Sequence, residues 1–297
     1  MTPMLDHSCL IMPSEALGTS RGWLQQQTCP VIAYGAPSLF ADVVVATQQE
    51  AEAMAATIEQ YPIAALTLVQ VLRVTEPLSP LEALDIESMA FATLQGGAEF
   101  KQWRERHPVD KKNELEDGPC ILLERQGNEL FARLNRPEAR NSMTVEMRDA
   151  WIEMLDILEH DASITRVFIE ACGKCFSVGG ELYEFGSQSD TAIAHWVRTV
   201  QSPARLMAKH WGKVEVYLHG ACIGSGVEIP AFANRVSAHP RSFFQLPELT
   251  MGLIPGAGGT VSIARRIGRQ RLAWLALSGR RINARTALDW GLIDKIH

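Results

Sequence analysis

From Cys120 onward the chain alternates short β-rich runs with helical segments, and that alternation restricts it most. CILLERQGNELFARLNR (120–136) reads as a hairpin turning at Gln126-Gly127-Asn128. MTVEMRDAWIEMLDILEHD (143–161) has the helical period, with Val145, Trp151, Met154, Leu155 and Leu158 predicted to face inward. The runs TRVFIEA (165–171), KVEVYLHG (213–220) and RVSAHP (235–240) read as strands. SDTAIAHWVRTVQSPARLMAKH (189–210), a segment after Gly226, and IPGAGGTVSIARRIG (254–268) read as helices. NARTALDWGLIDKI (283–296) reads as helix, turn and strand. Strands and helices taking turns over this length imply an α/β fold.

Residues 1 to 116 have a different texture and are expected to be mainly helical. ADVVVATQQEAEAMAATIEQ (41–60) reads as a strand followed by a helix, and PIAALTLVQVLR (62–73) as a buried helix or strand. In LSPLEALDIESMAFATLQGG (78–97), Ser79 suits the N-cap, Pro80 the first helical position and Glu82 the closing of a capping box; Gly96-Gly97 stops the helix. AEFKQWRERH (98–107) presents Phe100 and Trp103 on one side, and the polar KKNELEDG (111–118) reads as a linker. Two units are therefore expected, 1–116 and 117–297. A 46% apolar, 21% charged chain can bury a sizeable core. Its formal charge of −6 gives no overall attraction for nucleic acid or an anionic membrane. The longest apolar run, IAALTLVQVL (63–72), is too short to span a bilayer, and MTPMLDHSCLIMP lacks the pattern of a signal peptide. Cys172 and Cys175 make a single C-x-x-C pair in a Gly-containing turn and read as reduced loop cysteines; the expectation is a cytoplasmic protein. The cysteines and histidines show no ligand spacing, so no metal is expected.

Three segments place glycines beside strands and carboxylates nearby. GKCFSVGGEL (173–182) follows the strand at 165–171, where small residues let backbone N–H groups face a ligand. GACIGSGVEI (220–229) follows the strand at 213–220 and enters a helix, leaving N–H donors and the positive dipole end at the opening. In FFQLPELTMGLIPGAGG (243–259), Glu248 stands in an apolar stretch, where partial desolvation raises a carboxyl pKa and suits it to proton transfer. No segment is a dinucleotide fingerprint.

The order and spacing of these segments, with LNRPEARNSMT (134–144) before them, resemble the enoyl-CoA hydratase/isomerase, or crotonase, family from about Cys120 to the end. The resemblance implies a spiral ββα core, an acyl-CoA thioester substrate, no cofactor beyond the coenzyme A of that substrate, and a homotrimer or hexamer. It places the backbone N–H groups of an oxyanion hole at Val178 and Ser225, the two hydratase carboxylates at Glu228 and Glu248, and coenzyme or substrate contacts at Arg140, Ser177, Gly179 and Gly224. Two carboxylates imply hydration or dehydration of a 2-enoyl-CoA. Double-bond isomerisation, cofactor-free oxidation of an aryl-acyl-CoA, and non-catalytic acyl-CoA binding are the alternatives. Glu181 and Tyr183 depart from the family's usual Asp and Lys; the Asp shapes its loop, which the longer Glu181 is expected to alter, and Tyr183 is expected to lose or replace a contact to the coenzyme A nucleotide. Phe185, Trp196 and Trp211 are candidates to line a pocket, and Arg265, Arg266, Arg269 and Arg271 to meet phosphates, solvent or a subunit. Family members usually continue past the equivalent of GLIDKIH with helices that close over the acyl site, so the N-terminal helices either take that place or are an unrelated appendage.

Overall fold

A computed structural model describes residues 8–108 and 117–297. Residues 1–7 and most of the expected linker, with the 116/117 boundary, lie outside the described residues. The N-terminal part is not only helical. Strand β1 (Leu10–Pro13), helix α1 (Arg21–Gln25), β2 (Val31–Tyr34) and β3 (Val43–Val45) come first, and the three strands form a small parallel sheet in chain order. β1 and β2 escaped the sequence reading because four-residue strands carry too few positions to show a period.

Helices α2 (Gln48–Ile58), α3 (Pro62–Thr75), α4 (Pro80–Gln95) and α5 (Ala98–Arg106) follow. Thr47 with Glu50, and Ser79 with Glu82, close capping boxes at the starts of α2 and α4. The 62–73 segment resolves as a helix; eight buried residues on α3, Arg73 among them, explain its lack of a polar face.

The remainder runs β4 (Ile121–Gln126), β5 (Glu129–Leu134), α6 (Val145–His160), β6 (Arg166–Ala171), α7 (Thr191–Val200), α8 (Pro203–His210), β7 (Val214–Leu218), β8 (Ala221–Ile223), α9 (Ser225–Glu228), β9 (Arg235–Ala238), β10 (Phe243–Gln245), α10 (Gly259–Ile267), α11 (Arg269–Ser278), β11 (Ile282–Asn283), α12 (Ala284–Trp290) and β12 (Lys295–Ile296). Six strands form one sheet in the order β12-β9-β7-β6-β5-β4, parallel except for the predicted hairpin β4–β5. β11, β10 and β8 form a second, smaller sheet. The segment read as one helix at 189–210 is two, because Pro203 lacks the N–H that would continue α7 and instead opens α8 behind the Ser202 cap. On α6, Trp151, Met154, Leu155 and Leu158 are buried, but Val145 is exposed at the first helical position and Met147 occupies the inner face.

One apolar cluster runs from Ile32, Leu68 and Trp103 of the N-terminal part into Trp151, Phe244 and Leu275 of the remainder. Polar ties cross the same boundary. Arg265 donates to the carbonyl of Leu78, and Arg269 to those of Leu39 and Ala41. Arg266 holds the carbonyls of Ala231 and Ala233, and Arg271 that of Trp290. All four arginines bind backbone oxygens within the chain, and Arg265 and Arg271 stay exposed to solvent, as one of the expectations had it. Among the described residues, no helix is long and apolar enough to cross a membrane.

Candidate active site

The three Gly-rich segments meet at one place. The amide of Ser177 donates to Ala221 O (3.2 Å) and that of Ile223 to Ser177 O (3.1 Å), which lays the 173–182 loop along β8. The approach leaves no room for a side chain at Gly179: a methyl group there would lie 2.7 Å from Ile223 O. Ser177 Oγ accepts the Gly179 N–H, so both serve the loop's own shape. Glu181 accepts from Ser142 Oγ at 2.8 Å and ties the loop to the turn before α6.

Beside this junction opens a cavity of about 260 Å³. Gly180, Ser225, Glu228, Glu248, Phe185 and the 256–258 turn line one side of it. Leu84, Glu87, Ser88, Phe91 and Gln95 of α4 line the other, so the N-terminal helices do cover the site. Trp196 and Trp211, expected in the pocket or the core, are 63% and 56% exposed. Arg198 of α7 joins the wall with its guanidinium 4.0 Å over the Phe91 ring, and burial lowers its pKa to about 10.

Glu228 ends α9 and is 2% exposed. Its Oε2 accepts the N–H groups of Ala257 (2.8 Å) and Gly259 (2.9 Å). Burial pushes its pKa up to about 7, against the opposing pull of those two bonds. Glu248 starts the turn after Pro247 and is also buried. Its Oε2 has no hydrogen-bond partner among the described residues. Burial, and then the nearby Glu228 charge, raise its pKa well above the carboxylate range. The other oxygens converge. A methyl group built on Gly224 would lie 2.7 Å from Glu248 Oε1 and 3.8 Å from Glu228 Oε1, so both oxygens face the space beside that glycine. Gly224 itself sits at φ 51°, ψ −126°, a conformation few residues but glycine accept.

The predicted backbone donors divide. Ser225 opens α9, where no helical carbonyl precedes its N–H, and it lines the cavity. Val178 does not line it: its N–H points to Arg140 O at 3.3 Å, because the 173–182 loop pairs with the 136–142 turn on that side. Two residues on, Gly180 does line it, bridged in parallel to Met143 through the amides of its neighbours. Arg140 is exposed, at φ 53° in the turn, and is not among the residues that line the cavity.

Glu87 was missed. It is 2% exposed and accepts from Gly258 N (2.7 Å), Thr260 N (2.9 Å) and Thr260 Oγ1 (2.6 Å). The sequence did carry a signal: Glu87 interrupts the buried helical stripe of Leu84, Phe91 and Leu94, where a carboxylate is costly without partners.

The later part of the chain is similar to known proteins. The family model described as enoyl-CoA hydratase/isomerase matches residues 125–297. 2,3-dehydroadipyl-CoA hydratase of Escherichia coli is 31% identical over 176 residues, 59% of this chain and 68% of that one. Trans-2-decenoyl-[acyl-carrier-protein] isomerase of Streptococcus mutans is also 31% identical, over 55% of this chain and 64% of its own. The chain thus spans about two-thirds of the length of these curated relatives. Among solved structures, enoyl-CoA hydratase from Thermoplasma volcanium superimposes with a TM-score of 0.56 at 30% identity, covering 61% of this chain and 72% of that one.

Proposed function

Because the chain belongs to the enoyl-CoA hydratase/isomerase family, we propose that it adds water to, or removes it from, the double bond of a 2-enoyl-CoA thioester, with Glu228 and Glu248 as its carboxylates. The observation that carries this reading is the convergence of the two Oε1 atoms on the space beside Gly224. An isomerase has to shuttle one proton between carbons and needs one such group; a hydratase has to hold a water and also protonate a carbon, and two facing carboxyls suit it.

The roles follow from the environments. Two amide donors to Oε2 favour the ionised form of Glu228, so it is the base: its Oε1 takes a proton as the water oxygen attacks Cβ. Glu248 has no such donors on Oε2 and stays protonated more readily, so it delivers the proton to Cα. Between these events the electron pair of the double bond rests on the thioester oxygen. The N–H groups of Gly180 and Ser225, which line the same cavity, are the donors for that oxygen, in place of the expected Val178. Each such donor is worth roughly 3–4 kcal/mol of transition-state stabilisation. Coenzyme A enters as part of the substrate, with Arg140 placed to meet it outside the cavity.

The test is loss of the conjugated enoyl-thioester absorbance with a panel of short, medium, aromatic and carboxyl-terminated 2-enoyl-CoAs. The wild type should bleach at least one of them. Glu228→Gln and Glu248→Gln should each slow the reaction by about 10²- to 10⁴-fold, the usual worth of a general acid or base. No bleaching of any substrate that measurably binds would overturn the proposal, and movement of a 3-enoyl double bond would then identify an isomerase.

A further inference from the structure

The 257–260 turn gives its backbone N–H groups alternately to two carboxylates. Those of Ala257 and Gly259 go to Glu228, and those of Gly258 and Thr260 to Glu87. The Thr260 hydroxyl, in a fully buried residue, adds a third bond to Glu87. The turn runs into α10 at Gly259, with Gly258 O accepting from Val261 N and Ser262 N; Gly258 is at φ 101°, and Gly256 makes room for the Phe91 ring. Both Glu87 oxygens are taken up in these bonds, so Glu87 itself offers the cavity no free acceptor of the kind Glu228 offers with Oε1.

The geometry assigns Glu87, on α4 of the N-terminal part, as a positioning residue that holds the 257–260 turn so that Ala257 and Gly259 fix which oxygen Glu228 presents to the substrate. The assignment rests on the hydratase reading above. Two carboxylates bracketing one turn over-determine it: without Glu87 the amides of Gly258 and Thr260 are buried without an acceptor, and the turn relaxes to find others. Glu228 then loses the clamp on Oε2 and rotates, and a misplaced general base costs rate steeply. Desolvation, then the charge of Glu228, raise the pKa of Glu87 to about 8, consistent with two buried carboxyls held close together.

Two reactions of the same protein separate positioning from general damage. Hydration needs both carboxylates. Exchange of the Cα protons of a saturated acyl-CoA with D₂O needs only Glu248: in its ionised form it takes the Cα proton, the electron pair of that C–H bond passes to the thioester oxygen, the carboxyl proton exchanges with D₂O, and Glu248 returns a deuteron to Cα. For Glu87→Gln in the full chain, with butyryl-CoA as the exchange probe, we expect hydration kcat to fall about tenfold to a hundredfold. KM and the exchange rate should stay within about twofold of the wild type, the spread expected when binding and Glu248 are untouched. Equal loss of hydration and exchange, or loss of neither, would overturn the assignment. If Glu87→Gln does not fold, Thr260→Val removes only the hydroxyl donor and is read in the same way. A wild type that exchanges but does not hydrate would instead overturn the hydratase reading, so the two failures are distinguishable.

Discussion

At the residue scale, three buried glutamates within one site explain both chemistry and cost. A carboxyl with a higher pKa folded than unfolded binds more protons when folded. Its contribution to stability is therefore fully present below the unfolded value near 4.5 and is lost as pH rises through the folded value. Glu248→Gln should accordingly raise Tm at pH 8 relative to the wild type, with the gap closing toward pH 5; a gap that widens on acidification would contradict the buried, proton-holding state. In the enzyme's kinetics, kcat/KM should fall as pH drops below about 7, where Glu228 becomes protonated and can no longer take a proton from water. Gly224→Ala places a methyl 2.7 Å from Glu248 Oε1 and strains the backbone, and should cost about a hundredfold or more in kcat/KM. Glu228 and Glu248 were legible because both stand in Gly-rich surroundings with a known order. The cavity-facing amide was not: two amides two residues apart in the same loop look alike in a sequence, and only the pairing of Val178 N–H with Arg140 O separates them.

At the element scale, caps were readable and short strands were not. The Ser79-Pro80-Glu82 signature set the start of α4, and Gly96 its end, because capping chemistry is local. β1 and β2 depend on neighbours far along the chain. Their sheet is pinned by Asp42, which accepts from Val31 N and pairs with Arg73 of α3, both side chains being almost fully buried. Arg73 also donates to the carbonyls of Gln27 and Cys29. Arg73→Met removes the hydrogen-bonded partner and leaves buried Asp42 only Arg269, 3.9 Å away, so it should cost roughly 3 kcal/mol in urea unfolding. A loss under 1 kcal/mol would mean that Asp42 finds water or another cation.

At the scale of the whole molecule, the N-terminal helices and the later α/β part share one apolar cluster and one cavity. The sequence suggested that the early helices cover the site, from their texture alone. It marked Glu87 as a carboxylate in a buried stripe but not what Glu87 would meet, since its partner Thr260 lies 173 positions away. Cutting the chain at a protease site inserted between Lys112 and Asn113 should leave two pieces that co-elute and keep hydratase activity, because the apolar cluster and the arginine ties do not depend on the connection. Separation of the pieces on a sizing column would show that the shared cluster is too weak to hold them. That arrangement also sets a timetable for synthesis. The ribosome releases α3 and α4 long before α10 and α11, which they also pack against, so those contacts wait through more than half of translation. Contacts closed over such separations form slowly. A nascent chain of this design has reason to rely on chaperones that shield exposed helices until the last third of the message has been read.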